Sequence, residues 1–263
     1  SAVPAAPSTA SSRATRTSTP SPAMRSEHAG TETGAFDSIA VGYDAWYDTP
    51  LGRLVDRLEK NAVLALVGDR AEGVALDLSC GTGNYALALA ERGFRVVGVD
   101  VSEPMLRVAR AKSAQANLDI SWLRADASAL PFRSGAFDFT TIVLGLEFTA
   151  EPGRVVGEAH RVLKPEGDLV VAILNRGGLW TLWRRLKRLV VPSVWRRATF
   201  FRPDELRDLL RARGFAAQGW RRAVHFLPLF ARDRVGWVEW WEAIGARWMP
   251  ASATFVAVAA RRL

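Results

Sequence analysis

Apolar residues along this chain follow two rhythms. Short, nearly unbroken apolar runs such as Val74-Ala75-Leu76, Phe139–Val143 and Leu169–Leu174 alternate with stretches where apolar positions recur every three or four residues. The first rhythm is that of a strand buried on both faces, the second that of an amphipathic helix. The pattern predicts helices over about 36–47 and 51–67. From there it predicts strand 74–79, helix 83–92, strand 95–99, helix 102–115, strands 118–124 and 136–144, helix 151–162 and strand 167–174. Strands interleaved with helices imply an α/β fold, doubly wound, with a mostly parallel sheet covered on both faces. Right-handed crossovers then put a ligand at the carboxyl ends of the strands, beside the first one.

After Asn175 the alternation stops. Residues 179–190 read as an amphipathic helix, with Leu179, Trp183, Leu186 and Val190 near one face and cations on the other. A helix over 204–213 ends at Gly214. Strand 216–224 follows, then a tryptophan-rich stretch through Pro250, then strand 253–260. Segments 176–200 and 225–250 are therefore insertions at the carboxyl-end side, expected to cover a substrate. The domain itself spans 35–263. Residues 1–34 are rich in Ala, Ser, Thr and Pro without an aromatic residue, so they are expected to form a disordered tail. Residues 1–23 read as a native extension, a transit segment, or a stretch added ahead of a natural start at Met24. Four prolines argue against the amphipathic helix of a transit peptide.

The chemistry concentrates in Val74-Ala-Leu-Asp77-Leu-Ser79-Cys-Gly81-Thr-Gly83-Asn84. A buried strand ends in an acid, turns through two glycines and enters a helix, the arrangement that cradles a nucleotide-like ligand. The next strand ends in Asp100, 19 residues after Gly81, where a ribose-binding carboxylate belongs. This loop resembles the glycine motif of class I S-adenosylmethionine-dependent methyltransferases. Val99-Asp-Val-Ser-Glu-Pro-Met105, Arg124-Ala-Asp-Ala-Ser-Ala-Leu-Pro-Phe132, Phe137-Asp-Phe139 and Arg161-Val-Leu-Lys-Pro-Glu-Gly167 agree with that family in order and spacing. With the opening Phe36–Tyr47 they are similar to its ubiquinone and menaquinone branch. The resemblance is good over roughly 35–175. It implies a Rossmann-like, seven-stranded sheet closed by an antiparallel last strand, and S-adenosylmethionine as cofactor.

On that resemblance Gly81 and Gly83 admit the methionyl part, Asp77 and Ser79 sit beside it, and Asp100 accepts from both ribose hydroxyls. Val101 and Met105 pack on the adenine, Asp126 and the Ala127 amide meet its edge, and Leu144 lies across the site. Asp126 also reads as a helix cap, and Asp100 as a turn residue. Tyr43 is either core packing or, with Trp46 and Tyr47, part of a lid. Catalytic candidates are Glu147, after strand 136–144, and His225, after the sixth strand. Glu147 reads equally as a solvated loop carboxylate.

Composition narrows the partners. The net charge of +8 owes much to residues 184–213, where ten Arg and Lys face Asp204, Glu205 and Asp208. Such a patch attracts nucleic acid, anionic lipid or an acidic substrate, or is simply an arginine-rich solvated face. One cysteine excludes an internal disulfide and suits a cytoplasmic setting; as a packing residue, Cys80 sits under the glycine turn. No His, Cys or acid cluster has metal-ligand spacing, so no metal is expected. The chain reads as a methyltransferase for a small, apolar or aromatic acceptor, attacked at O, N or C. A nucleic-acid methyltransferase and a non-catalytic cofactor-binding protein are the alternatives. No nucleic acid is expected as partner; peripheral contact with an anionic membrane, through the outward basic face of helix 179–190, is.

Overall fold

The computed structural model describes residues 36–187, 198–227 and 235–263. The tail expected over 1–34 and the end of helix 179–190 fall outside these residues.

The chain opens with turns and a short helix α1 (Ala40–Tyr43), a 3-10 turn (Asp44–Trp46) and the long helix α2 (Pro50–Val67). The single helix expected over 36–47 is therefore broken. Thr49 ends that segment and caps α2, its hydroxyl accepting from Gly52 N at 2.9 Å, with Pro50 in the first turn. Then come β1 (Val74–Leu78), α3 (Asn84–Glu91), β2 (Arg95–Asp100), α4 (Glu103–Gln115), β3 (Ile120–Arg124) and β4 (Phe137–Val143). Helix α5 (Pro152–Val162) runs directly into β5 (Leu163–Leu174), which starts four residues earlier than its apolar run suggests. The last third holds α6 (Leu179–Lys187), α7 (Pro203–Ala212), β6 (Phe215–Ala223), α8 (Val235–Trp248) and β7 (Phe255–Arg262). Helix α8 occupies the tryptophan-rich stretch, where sequence alone suggested no element.

The seven strands form one sheet in the order β3-β2-β1-β4-β5-β7-β6. Every pair among the first five is parallel, and β7 runs antiparallel between β5 and β6. The doubly wound sheet with an antiparallel last strand is thus the observed architecture. Neighbouring residues of a strand face opposite layers. Ala75, Phe139 and Phe255 pack with Val55, Val63, Leu89, Trp180 and Val238, so α2, α3, α6 and α8 cover one face. Leu76, Ile142 and Val256 pack with Val156, Ala159, Leu206 and Leu210, so α5 and α7 cover the other.

One side chain accounts for two glycines. The Trp122 indole, whose Nε1 donates to Ser113 Oγ at 3.1 Å, lies across β2 and behind the loop after β1. A Cβ at Gly98 would stand 2.4 Å from its ring, and one at Gly83 2.6 Å. Gly98→Ala should therefore force the ring aside and destabilise the fold by about 1–3 kcal/mol. Thermal denaturation should register a fall of several degrees; an unchanged melting temperature would mean that the ring is free to move.

Candidate functional site

The carboxyl ends of β1, β2 and β4 converge on one cavity, the place where parallel sheets bind ligands. Its floor is Asp77, Ser79, Cys80, Gly81 and Thr82. Asp100, Val101, Met105, Asp126 and Ala127 form one wall and Val143, Leu144 and Gly145 the other. Phe36, Tyr43, Tyr47, Glu59, Tyr85 and Phe148 close it from above. Two strand ends are bent into left-handed backbone by non-glycine residues, Ser79 at φ 56° and Leu144 at φ 54°. Strain of this kind gathers at functional sites, where the surroundings over-determine the backbone.

Asp77 lies at the base. Its Oδ1 accepts from Thr141 Oγ1 at 2.7 Å. Its Oδ2 is buried with no hydrogen bond of good geometry, the Ala86 backbone amide being the near group that eases its charge. Burial pushes its pKa up to about 7. Asp100 holds the loop: Oδ2 accepts from Gly81 N at 2.8 Å and Oδ1 from Ser102 N at 2.9 Å. Burial raises its pKa too. The Val101 amide also eases its charge, and a carboxylate has about four lone-pair sites, so one stays available beyond these amides. Asp100 thus faces the cavity as well as shaping a turn. Asp126 caps a turn, not a helix, accepting from Ser128 N at 2.7 Å, and is otherwise exposed.

Gly81 has φ 53° and open space where a Cβ would be, so a ligand can approach its backbone. Gly83 corrects an expectation. It does not line the cavity; at φ 81° it is the N-cap of α3, its place dictated by Trp122 behind it. The other cofactor candidates, Tyr43 included, do line the cavity.

The opening segment is latched over the loop by polar contacts absent from the sequence reading. Thr82 Oγ1 donates to Asp44 Oδ1 at 2.8 Å. Lys112 Nζ donates to Asp44 Oδ2 at 2.9 Å and to Asn84 Oδ1 at 2.5 Å. Ser102 Oγ donates to Asp37 Oδ1 at 2.5 Å.

Neither catalytic candidate lines the cavity. Glu147 is buried in a 3-10 turn, its Oε1 accepting from Leu174 N at 2.6 Å and its Oε2 left without a partner. It joins the ends of β4 and β5 and is no solvated loop carboxylate. His225 is buried too. Its Nδ1 lies 3.0 Å from Glu242 Oε1 and its backbone N donates to Glu242 Oε2 at 2.7 Å, which ties α8 to the end of β6.

A fourth carboxylate, Glu59, reaches the cavity beside Asp77, Asp100 and Asp126. It sits on the buried face of α2 between Val55 and Val63, and burial lifts its pKa to about 8. The Arg184 guanidinium acts against that rise. A lone acid at the i+4 position of an apolar helix face was the signal that could have revealed it. Arg184 departs from the outward basic face expected of helix 179–190, whose other cations fall outside the described side chains. It turns inward toward Glu59, Tyr43 and Tyr47 and stacks on Trp180, 5.0 Å from the ring centroid. Trp180 is buried against Trp46 and Phe226. Trp237, Trp240 and Trp241, expected in a substrate cover, are exposed on α8 and line no part of the cavity. Among the described residues no group of three metal-ligating side chains converges.

An unsatisfied buried carboxylate oxygen, an open glycine turn and a second carboxylate at the next strand end fit a ligand with an ammonium and a ribose diol. S-adenosylmethionine carries both, and the fold with this site defines the class I methyltransferases that use it. A family model described as a methyltransferase domain matches residues 76–171. The demethylmenaquinone methyltransferase of Thermus thermophilus is 44% identical over 144 residues, covering 52% of this chain and 62% of that protein. The ubiquinone/menaquinone biosynthesis C-methyltransferase of a Ruegeria species is 33% identical over 176 residues, covering 64% and 70%. The fold is shared with a solved S-adenosylmethionine-dependent methyltransferase of Thermotoga maritima, at TM-score 0.64 and 23% identity, over 87% of this chain and 98% of that one. This chain belongs to the class I S-adenosylmethionine-dependent methyltransferases of the ubiquinone/menaquinone type, and its cofactor is S-adenosylmethionine.

Burial that raises the pKa of Glu147 to about 7 makes a pH-dependent contribution to stability. The contribution is fully present below the ordinary carboxyl pKa and is lost as pH rises toward 7. Glu147→Gln, neutral at every pH, should melt higher than the parent at pH 8, by up to roughly 2 kcal/mol or about 5 °C. The gain should vanish at pH 4–5. Equal melting temperatures at pH 8 would show that the carboxylate is ionised at little cost.

Proposed function

We propose that the protein transfers a methyl group from S-adenosylmethionine to a small, apolar, aromatic acceptor of quinone type. The observation that carries the reading is the buried, unpaired Asp77 oxygen beneath an open glycine turn. Asp77 and the Gly81 backbone would receive the methionyl ammonium and carboxylate, with Ser79 and Leu144 flanking them. Asp100 would take a ribose hydroxyl, Val101 and Met105 the adenine faces, Asp126 and the Ala127 amide its edge, and Tyr43 would lie over the donor. An ammonium beside Asp77 would draw its raised pKa down again. When bound, the donor supplies an electrophilic methyl group on a sulfonium that departs as a neutral sulfide. The chain's task is to align acceptor and donor and to keep water out.

The acceptor class rests on two supports. Phe36, Tyr43, Tyr47 and Phe148 give the cavity an aromatic roof, and the two relatives are named for menaquinone and ubiquinone synthesis. Those names favour a small acceptor over a nucleic acid. In this reading the acceptor is in its reduced, hydroquinone form, and the Glu59 carboxylate takes one of its hydroxyl protons, which raises the electron density of the ring. Burial keeps Tyr43, Tyr47 and Tyr85 neutral, so they can donate to a developing oxyanion. Glu147 and His225 then serve as ties that hold the strand ends and α8 in place. Arg184 and Trp180 form a second layer behind Tyr43 and Tyr47, the part of the 176–200 insertion that covers the site. Among the described residues no helix is long and apolar enough to cross a membrane. We place the enzyme in the cytoplasm, where it meets acceptors dissolved in the membrane surface.

Asp100→Ala should weaken donor binding about tenfold or more, since a charged acceptor is worth about 1.5–3 kcal/mol. Calorimetry that found equal affinity would sink the assigned cofactor site. Glu59→Gln should lower kcat about 100-fold while donor affinity holds, within the range of a general base. The parent rate should climb with pH through about 8 and then level, because only ionised Glu59 accepts the proton. A Glu59→Gln variant with the parent's rate would remove Glu59 from the chemistry.

A further inference from the structure

Helix α8 presents its tryptophans to solvent. Trp237 is 58% exposed, Trp240 57%, Trp241 38% and Trp248 75%. At about 3.6 residues per turn, Trp237, Trp241, Ile244 and Trp248 share one stripe and Trp240 flanks it. The rings touch along it: Trp237 and Trp240 have centroids 6.4 Å apart, Trp240 and Trp241 5.3 Å. The helix is held to the body by its other side, where Val238 is buried in the core. A contiguous aromatic stripe is too costly in water to be an idle surface.

The charges around the stripe select its partner. Both acids of α8 are turned from it and engaged, Glu239 with Arg57 of α2 and Glu242 with His225. Arg247 stays at the stripe, its Cζ 5.5 Å from the Trp248 ring centroid. Arg221 is exposed on β6, the edge strand against which α8 packs, on the face it shares with Ala223. Tryptophan rings with a fringe of arginine and no free acid match the boundary between anionic headgroups and acyl chains. The position agrees. α8 follows the carboxyl end of β6, the side of the sheet on which the cavity lies, and Arg57 is two residues from Glu59 on α2.

We propose that the exposed tryptophan face of α8 is a docking surface for an anionic lipid bilayer, which brings the acceptor side of the enzyme to the membrane. It shares with the proposed function only the apolar nature of the acceptor, and its test needs neither acceptor nor donor. The full chain is sedimented with vesicles of phosphatidylcholine alone or with 30% phosphatidylglycerol (about the anionic share that tests headgroup attraction). Tryptophan emission is followed against brominated lipid. Expected are binding to the anionic vesicles that weakens in high salt, and quenching by bromines near the headgroups. The double variant Trp240→Ser/Trp248→Ser should bind at least about tenfold more weakly, with an unchanged melting temperature, as suits exposed positions. Failure of the parent chain to bind anionic vesicles, or full binding by the double variant, would overturn the proposal. So would a dimer in solution that the same double substitution dissolves, since the stripe would then belong to a second copy. Loss of methyl transfer through Glu59→Gln would leave vesicle binding untouched, which keeps the two readings separable.

Discussion

A carboxylate buried at the end of the central strand is the constraint around which the site is arranged. Asp77 is 2% exposed, accepts a hydrogen bond from the Thr141 hydroxyl and has the Ala86 amide nearby. A buried carboxylate with an unmet oxygen is expensive unless something positive or hydrogen-bonding arrives. The surroundings leave room for that arrival. Gly81 clears the space above the loop, Asp100 pins the Gly81 amide, and the strained backbones of Ser79 and Leu144 hold the two strand ends apart. Folding stability is traded here for a ligand site, and the sheet on either side, apolar and fully covered, supplies the margin.

The same logic explains the opening segment. Residues 36–47 are rich in apolar side chains, but only Ala40 among them is buried, so burial is not their main tie to the body. Asp44 and Asp37 instead reach down to Thr82, Lys112 and Ser102, the residues that frame the loop. These are partly exposed, charge-assisted contacts, individually weak in water. A cover attached in this way can close the cavity and still release it, as a ligand that must enter and leave requires. Tyr43, Tyr47 and Phe36 then form an aromatic roof with Phe148, at 4.7 Å from Phe36.

Charge in the last third of the chain divides by neighbour. Arg184 goes inward because Glu59, buried on α2, offers it a counter-charge and Trp180 a ring to lie on. The arginines of β6 stay in water. The tryptophans divide as well: Trp180 enters the core, whereas those of α8 stand outside it. Residue type alone predicts neither outcome.

Strand and helix order, the glycine turn and the acids at 77 and 100 were legible in the sequence because they obey local rules. Buried parallel strands are continuous apolar runs, and a turn with positive φ favours glycine. The breaks in that legibility are equally specific. Glu147 and His225 sit in loops at the right strand ends, but their side chains turn to a β5 amide and to Glu242, partners 27 and 17 residues distant. Gly83 looked like a ligand contact and is a neighbour of Trp122, a residue of another strand. Glu59 is one polar residue among several on a long helix, and only the packing of α2 against the cavity marks it out. By itself the sequence determined the order of the elements, the edge of the sheet that binds the donor and the residues that shape its loop. Only the tertiary structure decided which residue of α2 lines the cavity, which arginine turns inward and which tryptophans are exposed. Those outcomes depend on pairings between distant segments, and a buried charge or an uncovered ring is defined by its neighbours in space.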